Sequence, residues 1–146
     1  MRLSISLMLL LILLGCSTKN SPEECLTKFV TKRFAGESNK RGLLKYLSGP
    51  VYKQVNEMSS DEFETFIDFS KRKLNKLDIE LKKCEENSCN VTYTISYNVK
   101  EKAGIQHKVE VKKIAKIDLF DDGWRIVNIS NVKSFIEAPG INLPFK

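Results

Sequence analysis

An α+β fold, with N-terminal helices packed on a curved four-stranded antiparallel sheet in a single domain, follows from three features of this 146-residue chain. Apolar residues recur at helical spacing through the first half and alternate with polar ones through the second. Capping sequences open the helical segments, and tight-turn sequences separate the alternating ones. The length suits one domain, and 24 basic and 18 acidic side chains are spread among 42% apolar residues, which excludes a disordered polyelectrolyte. Four cysteines are too few for a disulfide-built miniprotein.

In chain order, Arg2 precedes an apolar run from Leu7 to Leu14 that closes on Gly15 and Cys16. The run falls short of the roughly 18 to 20 residues a helix needs to cross a bilayer, so residues 1–15 read as a secretory signal peptide. Leu13-Leu14-Gly15-Cys16 resembles the bacterial lipobox. That resemblance implies cleavage just before Cys16 and a thioether-linked diacylglycerol on its sulfur. The partner it implies is the lipid bilayer, since two or three acyl chains hold a protein on a membrane where one does not. Ser17 after the lipid site resembles sorting to the outer membrane in a Gram-negative cell; with one membrane, the anchor holds the protein on the outer face of the cell.

Residues 16–21 form the lipidated cysteine and a polar tether. The domain is expected over 22–135, with an extended tail over 136–146. Ser21 as N-cap, Pro22 at the first helical position and Glu24 three residues past the cap open the first helix. Leu26, Phe29, Val30 and Phe34 share its apolar face, and Gly36 stops it. Leu43, Leu44 and Leu47 make a short helical turn ended by Ser48-Gly49-Pro50, with Val51 to Met58 as a further one. Ser59-Ser60-Asp61-Glu62 is a second capping box, opening a helix with Phe63, Phe66, Ile67, Ser70 and Leu74 on one face. Lys71, Arg72, Lys73 and Lys76 stand at its cationic end.

From Leu77 the period becomes two. Leu77, Ile79 and Leu81, then Val91 to Val99, then Val109, Val111, Ala115, Ile117 and Leu119 alternate with polar residues. Ala103-Gly104 and Asp121-Asp122-Gly123 are the later turns, and Trp124 to Val132 is the last strand. Trp124 and Ile126 share a face, expected to meet Phe29 and Phe34 of the first helix, so that Trp124→Ala costs about 3 to 5 kcal/mol.

The helices-first order, with strands ending in Gly123-Trp124-Arg125-Ile126-Val127, resembles the nuclear-transport-factor-2-like (cystatin-like) cone-shaped domains found in small lipoproteins. This implies a sheet wrapped around a helix, with a pocket at the open end. Members include isomerases and dehydratases as well as binding and assembly modules, so the fold does not choose the function.

Cys84 and Cys89 flank Glu85-Glu86-Asn87-Ser88 between two strands. In an oxidising compartment this spacing favours a hairpin disulfide, with Cys25 as an alternative partner or a partly buried free thiol. Leu81 is expected to face the same way as Val91 and Tyr93, yet direct pairing of the cysteines puts it opposite Thr92. Either a bulge absorbs the odd residue or the bond spans the loop.

His107 is the single histidine, which excludes a multi-histidine metal site, and its charged neighbours describe a solvent-facing strand start. No phosphate loop, calcium loop or zinc spacing occurs, so no cofactor or metal is implied. Tyr93, Tyr97 and Trp124 are the candidate pocket residues, and Asp78, Glu80 and Asp118 sit on polar faces where none is an evident base. The clustered lysines read as a solvated face, and no aromatic interleaving suggests nucleic acid. The expected role is a non-enzymatic binding module for a small apolar ligand or an envelope protein. The alternatives are an isomerase or dehydratase and a structural homodimer.

Overall fold

The computed structural model describes residues 20–35, 39–67, 72–100, 104 and 106–137. The leader with Cys16, the expected helix stop at Gly36, Ser70, Lys71, Ala103 and the chain beyond Glu137 lie outside them. The described residues form α1 (Pro22–Ala35), α2 (Lys40–Leu44), α3 (Gly49–Glu57) and α4 (Ser60–Phe66), then β1 (Arg72–Glu85), β2 (Ser88–Lys100), β3 (Gln106–Phe120) and β4 (Gly123–Glu137). The strands pair as an antiparallel meander in the order β1-β2-β3-β4, giving one α+β domain with an open curved sheet. No helix among the described residues is long and apolar enough to cross a membrane.

Three of the four described helices begin where a side chain bonds their free amides. The Glu24 N–H donates to Ser21 Oγ at 3.1 Å, and Glu23 and Glu24 meet the positive end of the α1 dipole. Asn39 Oδ1 accepts from the Gly42 N–H at 2.7 Å to start α2. The capping box of α4 is complete: Glu62 N–H donates to Ser59 Oγ at 3.3 Å and Ser59 N–H to Glu62 Oε2 at 2.7 Å. Gly49, the first residue of α3, is at φ +56°, a left-handed conformation that glycine alone adopts readily, and Pro50 follows in the first turn.

The helix expected to run on to Leu74 stops at Phe66, and the first strand starts at Arg72 rather than Leu77. Leu74 pairs with Tyr97 and Arg72 with Val99. A helix there would leave that half of β2 without its ladder, so strand pairing overrides the helical spacing. At the other end, β4 continues to Glu137, taking the first two residues assigned to the tail.

The inner face of the sheet packs on α1. Leu26 and Phe29 of the helix, and Val91, Ala115, Ile117 and Ile126 of the strands, are at most 2% exposed. Residues 46–48 run beside the start of β4, with the Ile126 N–H donating to Tyr46 O and the Ser48 N–H to Ile126 O, both at 2.9 Å. They cover part of an edge strand that would otherwise be open.

The cysteine register resolves by the bulge. Cys84 and Cys89 face each other directly and are bonded, while the ladder slips between Ile79 and Leu81. Leu81 therefore faces Thr92 and is 52% exposed, against the expectation that it shares the face of Val91 and Tyr93. Lys82 takes the inner position opposite Val91 and reaches Glu23 on α1. Burial raises the Glu23 carboxyl, but the hydrogen bond from Lys82 and local backbone bonding outweigh it, and the net shift is downward.

Candidate functional site

Three cations occupy positions that the hydrophobic pattern reserves for apolar side chains. On α1, Arg33 lies three residues after Val30 and four after Phe29, on the stripe that faces the sheet. On β3, Lys113 falls between Val111 and Ala115 in the inward series and pairs with Tyr93 on one side and Asn131 on the other. On β1, Arg72 pairs with Val99, in the same inward series as Tyr97. All three side chains line one cavity of about 180 Å³ between α1 and the sheet, walled by Phe34, Ile95, Tyr97 and Val111.

Two of the cations, Arg33 and Lys113, are held in place by uncharged groups. Arg33 Nε donates to the backbone carbonyl of Phe66 at 3.2 Å, and its guanidinium carbon lies 4.0 Å from the centroid of the Phe66 ring. Lys113 Nζ donates to Asn131 Oδ1 at 2.5 Å. Among the described lining residues there is no carboxylate. Burial, and then the neighbouring Arg72, lower the Arg33 guanidinium to about 10; burial, and then Arg33, lower the Lys113 ammonium. Arg33 remains protonated at neutral pH. A neighbouring depression shares Arg72 and Phe34 with this cavity and carries Lys73 and Lys100. The alternation of β1 and β3 thus divides the lysine clusters, sending Arg72 and Lys113 inward where a uniformly solvated face was expected.

Of the three expected pocket residues, Tyr97 lines this cavity, with its ring centroid 5.5 Å from that of Phe34. Tyr93 is 2% exposed and belongs to the core; burial raises its phenol, with Arg33 pulling the other way. Trp124 lies at the far end of the sheet. It pairs with Leu119 while Tyr97 pairs with Val109, about ten residues along β3 or roughly 30 Å. The structure does not bring the three together.

Trp124 is half-buried and borders a second cavity of about 380 Å³ with Cys25, Lys28, Tyr46 and Arg125. Its neighbour on α1 is Cys25, in place of the expected Phe29 and Phe34, because strand polarity puts the start of β4 at the first turns of the helix. Cys25 is a free, buried thiol, raised to about 11 by burial.

The carboxylates weighed as bases, Asp78, Glu80 and Asp118, stay on the outer face. Asp118 Oδ1 accepts from Ser88 Oγ at 2.6 Å, Asp78 pairs with Lys76, and Glu80, in the bulge, pairs with Lys112. The Glu80 carboxyl is lowered chiefly by the hydrogen bond from Lys112. His107 is half-buried rather than solvent-facing, because its position opposite Val99 belongs to the inward series. The described residues contain no group of three or more metal-ligating side chains.

No family model and no curated protein matches this chain. Among solved structures, a chain from Xanthomonas campestris that carries the name of a calcium/calmodulin dependent protein kinase II association domain is similar over 80% of this chain and 84% of its own, at 16% identity and a TM-score of 0.47. AclR from Streptomyces galilaeus, named as a hydroxylase, is similar over 81% of this chain and 79% of its own, at 15% identity and a TM-score of 0.43.

Proposed function

We infer that the protein is an exported, lipid-anchored binding module of the nuclear-transport-factor-2-like cone type, which holds a small ligand between α1 and the sheet. The observation that carries the binding role is the placement of Arg33 and Lys113 on core positions beside a cavity. Two charged groups where apolar side chains would pack break the local pattern, and their bonds to uncharged groups leave the positive charge uncompensated; such breaks concentrate at functional sites. The order of helices then meander supports the cone, and Leu13 to Cys16 support the anchor. Binding is favoured over proton-transfer chemistry because the described cavity lining holds no carboxylate to act as base.

Native mass spectrometry of the full-length chain, purified under mild conditions, tests the binding role. A copurifying small molecule that is lost in Lys113→Met supports it. A bare mass in both forms, from cells and after exposure to a cell extract, overturns it. The anchor is tested separately: Cys16→Ser should abolish incorporation of a labelled fatty acid, and label retained by the variant refutes the assignment.

A sheet-on-sheet homodimer is the second reading, favoured by Leu81, Ile114 and Phe135, which are 52%, 37% and 54% exposed on the outer face. Sedimentation of the full-length chain decides it: a monomer at all concentrations removes it.

A further inference from the structure

We propose that the cavity takes a small organic acid, its carboxylate held among Arg33, Arg72 and Lys113 and its apolar body lying against Phe34, Ile95 and Tyr97. The inference rests on the binding role above and narrows it to one ligand class.

Charge balance supplies the first reason. Three cationic side chains converge on one cavity whose described lining offers amide, hydroxyl and carbonyl oxygens but no carboxylate. Each then stands in a partly desolvated site beside like charges, and the lowered values of Arg33 and Lys113 register that cost. An anion entering the cavity supplies the counter-charge that the described lining lacks. Guanidinium groups suit it, since their planar donor fork matches a carboxylate in two parallel hydrogen bonds.

Size and wall chemistry supply the second. An apolar cavity of about 150 Å³ accommodates benzene, so 180 Å³ takes a ring or short branched chain with one carboxylate. The lining is mostly polar, and the tilted Phe34 and Tyr97 rings, with Ile95 and Val111, supply its smaller apolar part, enough to meet a short carbon body beside the carboxylate. An inorganic anion would leave that apolar part without a partner. In the neighbouring depression, Lys73 and Lys100 beside Arg72 add to the positive field, which draws anions in and weakens with salt.

The test titrates the full-length chain, in a non-ionic detergent, with benzoate and butanoate by calorimetry, alongside the neutral benzamide and butanamide and inorganic phosphate. The expected result is that at least one acid binds, its amide binds at least tenfold more weakly, and Lys113→Met weakens the acid at least tenfold. Arg33→Met should do the same; because Arg33 also holds Phe66, Lys113→Met is the variant that decides if Arg33→Met misfolds. Amides that bind as tightly as their acids, or an acid indifferent to Lys113→Met, overturn the inference while leaving a ligand cavity. Phosphate binding tighter than either acid overturns the carboxylate assignment. Binding by none of these probes overturns the acid reading, and the binding role falls with it only if native mass spectrometry also finds a bare chain.

Discussion

The thiol of Cys25 donates to the backbone carbonyl of Trp124, with 3.1 Å between sulfur and oxygen, joining the first turns of α1 to the start of β4 across 99 residues. Burial raises this thiol from 9.0 to about 11, which leaves about a hundredfold less thiolate at mildly alkaline pH than an ordinary cysteine has. Iodoacetamide at pH 8 should therefore label Cys25 slowly in the native protein and at the normal rate in urea. Equal rates in the two states would show that the helix end opens freely.

The charge cluster predicts a gain of stability on removing a charge. Lys113→Met should stabilise the ligand-free protein by about 0.5 to 1 kcal/mol at pH 7, by relieving desolvation and the repulsion of Arg33. The sign with pH follows from the lowered folded value. As pH climbs from the folded value toward the unfolded 10.5, the unfolded state binds more protons, so the wild type gains stability and the cost of its charged lysine disappears. Urea denaturation should show the advantage of the variant at pH 7 and its decline near pH 10.5. A constant advantage would point to packing instead of charge.

How much of this was legible in the sequence depended on which pattern each residue obeyed. The cap residues Ser21 and Ser59, the Asp121-Asp122 turn and the Cys84/Cys89 spacing act locally, and the structure keeps each of them. The α4–β1 boundary was hidden because Leu74 fits a helical face as well as an inward strand position, and its partner Tyr97 lies far along the chain. The site was hidden for a different reason. Val111 and Ala115 marked the dry face of β3, and Lys113 between them carried the signal, but a lysine among lysines reads as surface until parity is applied strictly. Arg33 likewise sat on the stripe of Leu26, Phe29 and Val30. No local pattern tells that helix α1 brings it to the inward side chains of β1 and β3.

Trp124 and Ile126 should exchange the weights expected from their size. Ile126 is fully buried, with both backbone polar groups bonded to residues 46–48, whereas Trp124 is half-buried at a cavity edge. Ile126→Ala should cost about 3 to 4 kcal/mol and Trp124→Ala about 2 kcal/mol, below the 3 to 5 kcal/mol of a buried tryptophan. Paired denaturation curves measure the order, and a larger loss at Trp124 would contradict its placement.

Reduction of Cys84–Cys89 should lower stability by roughly 2 kcal/mol, the loop-closure value for so short a ring, while the sheet persists. Circular dichroism with and without reductant during a urea titration checks both parts. A midpoint unmoved by reductant would show that the hairpin turn alone holds the register.

The hairpin position of the disulfide also bears on how the right bond is chosen while the chain is still unfolded. Cys89 is five residues from Cys84, whereas Cys25 precedes Cys84 by about 60 residues. If effective concentration falls as about the −3/2 power of the intervening length, Cys89 meets Cys84 about fortyfold more often than Cys25 does. Pairing fidelity is thus kinetic at first, set by chain length before any native contact exists. When α1 then docks and buries Cys25, the competing thiol is withdrawn from exchange, and an early statistical preference becomes a permanent one.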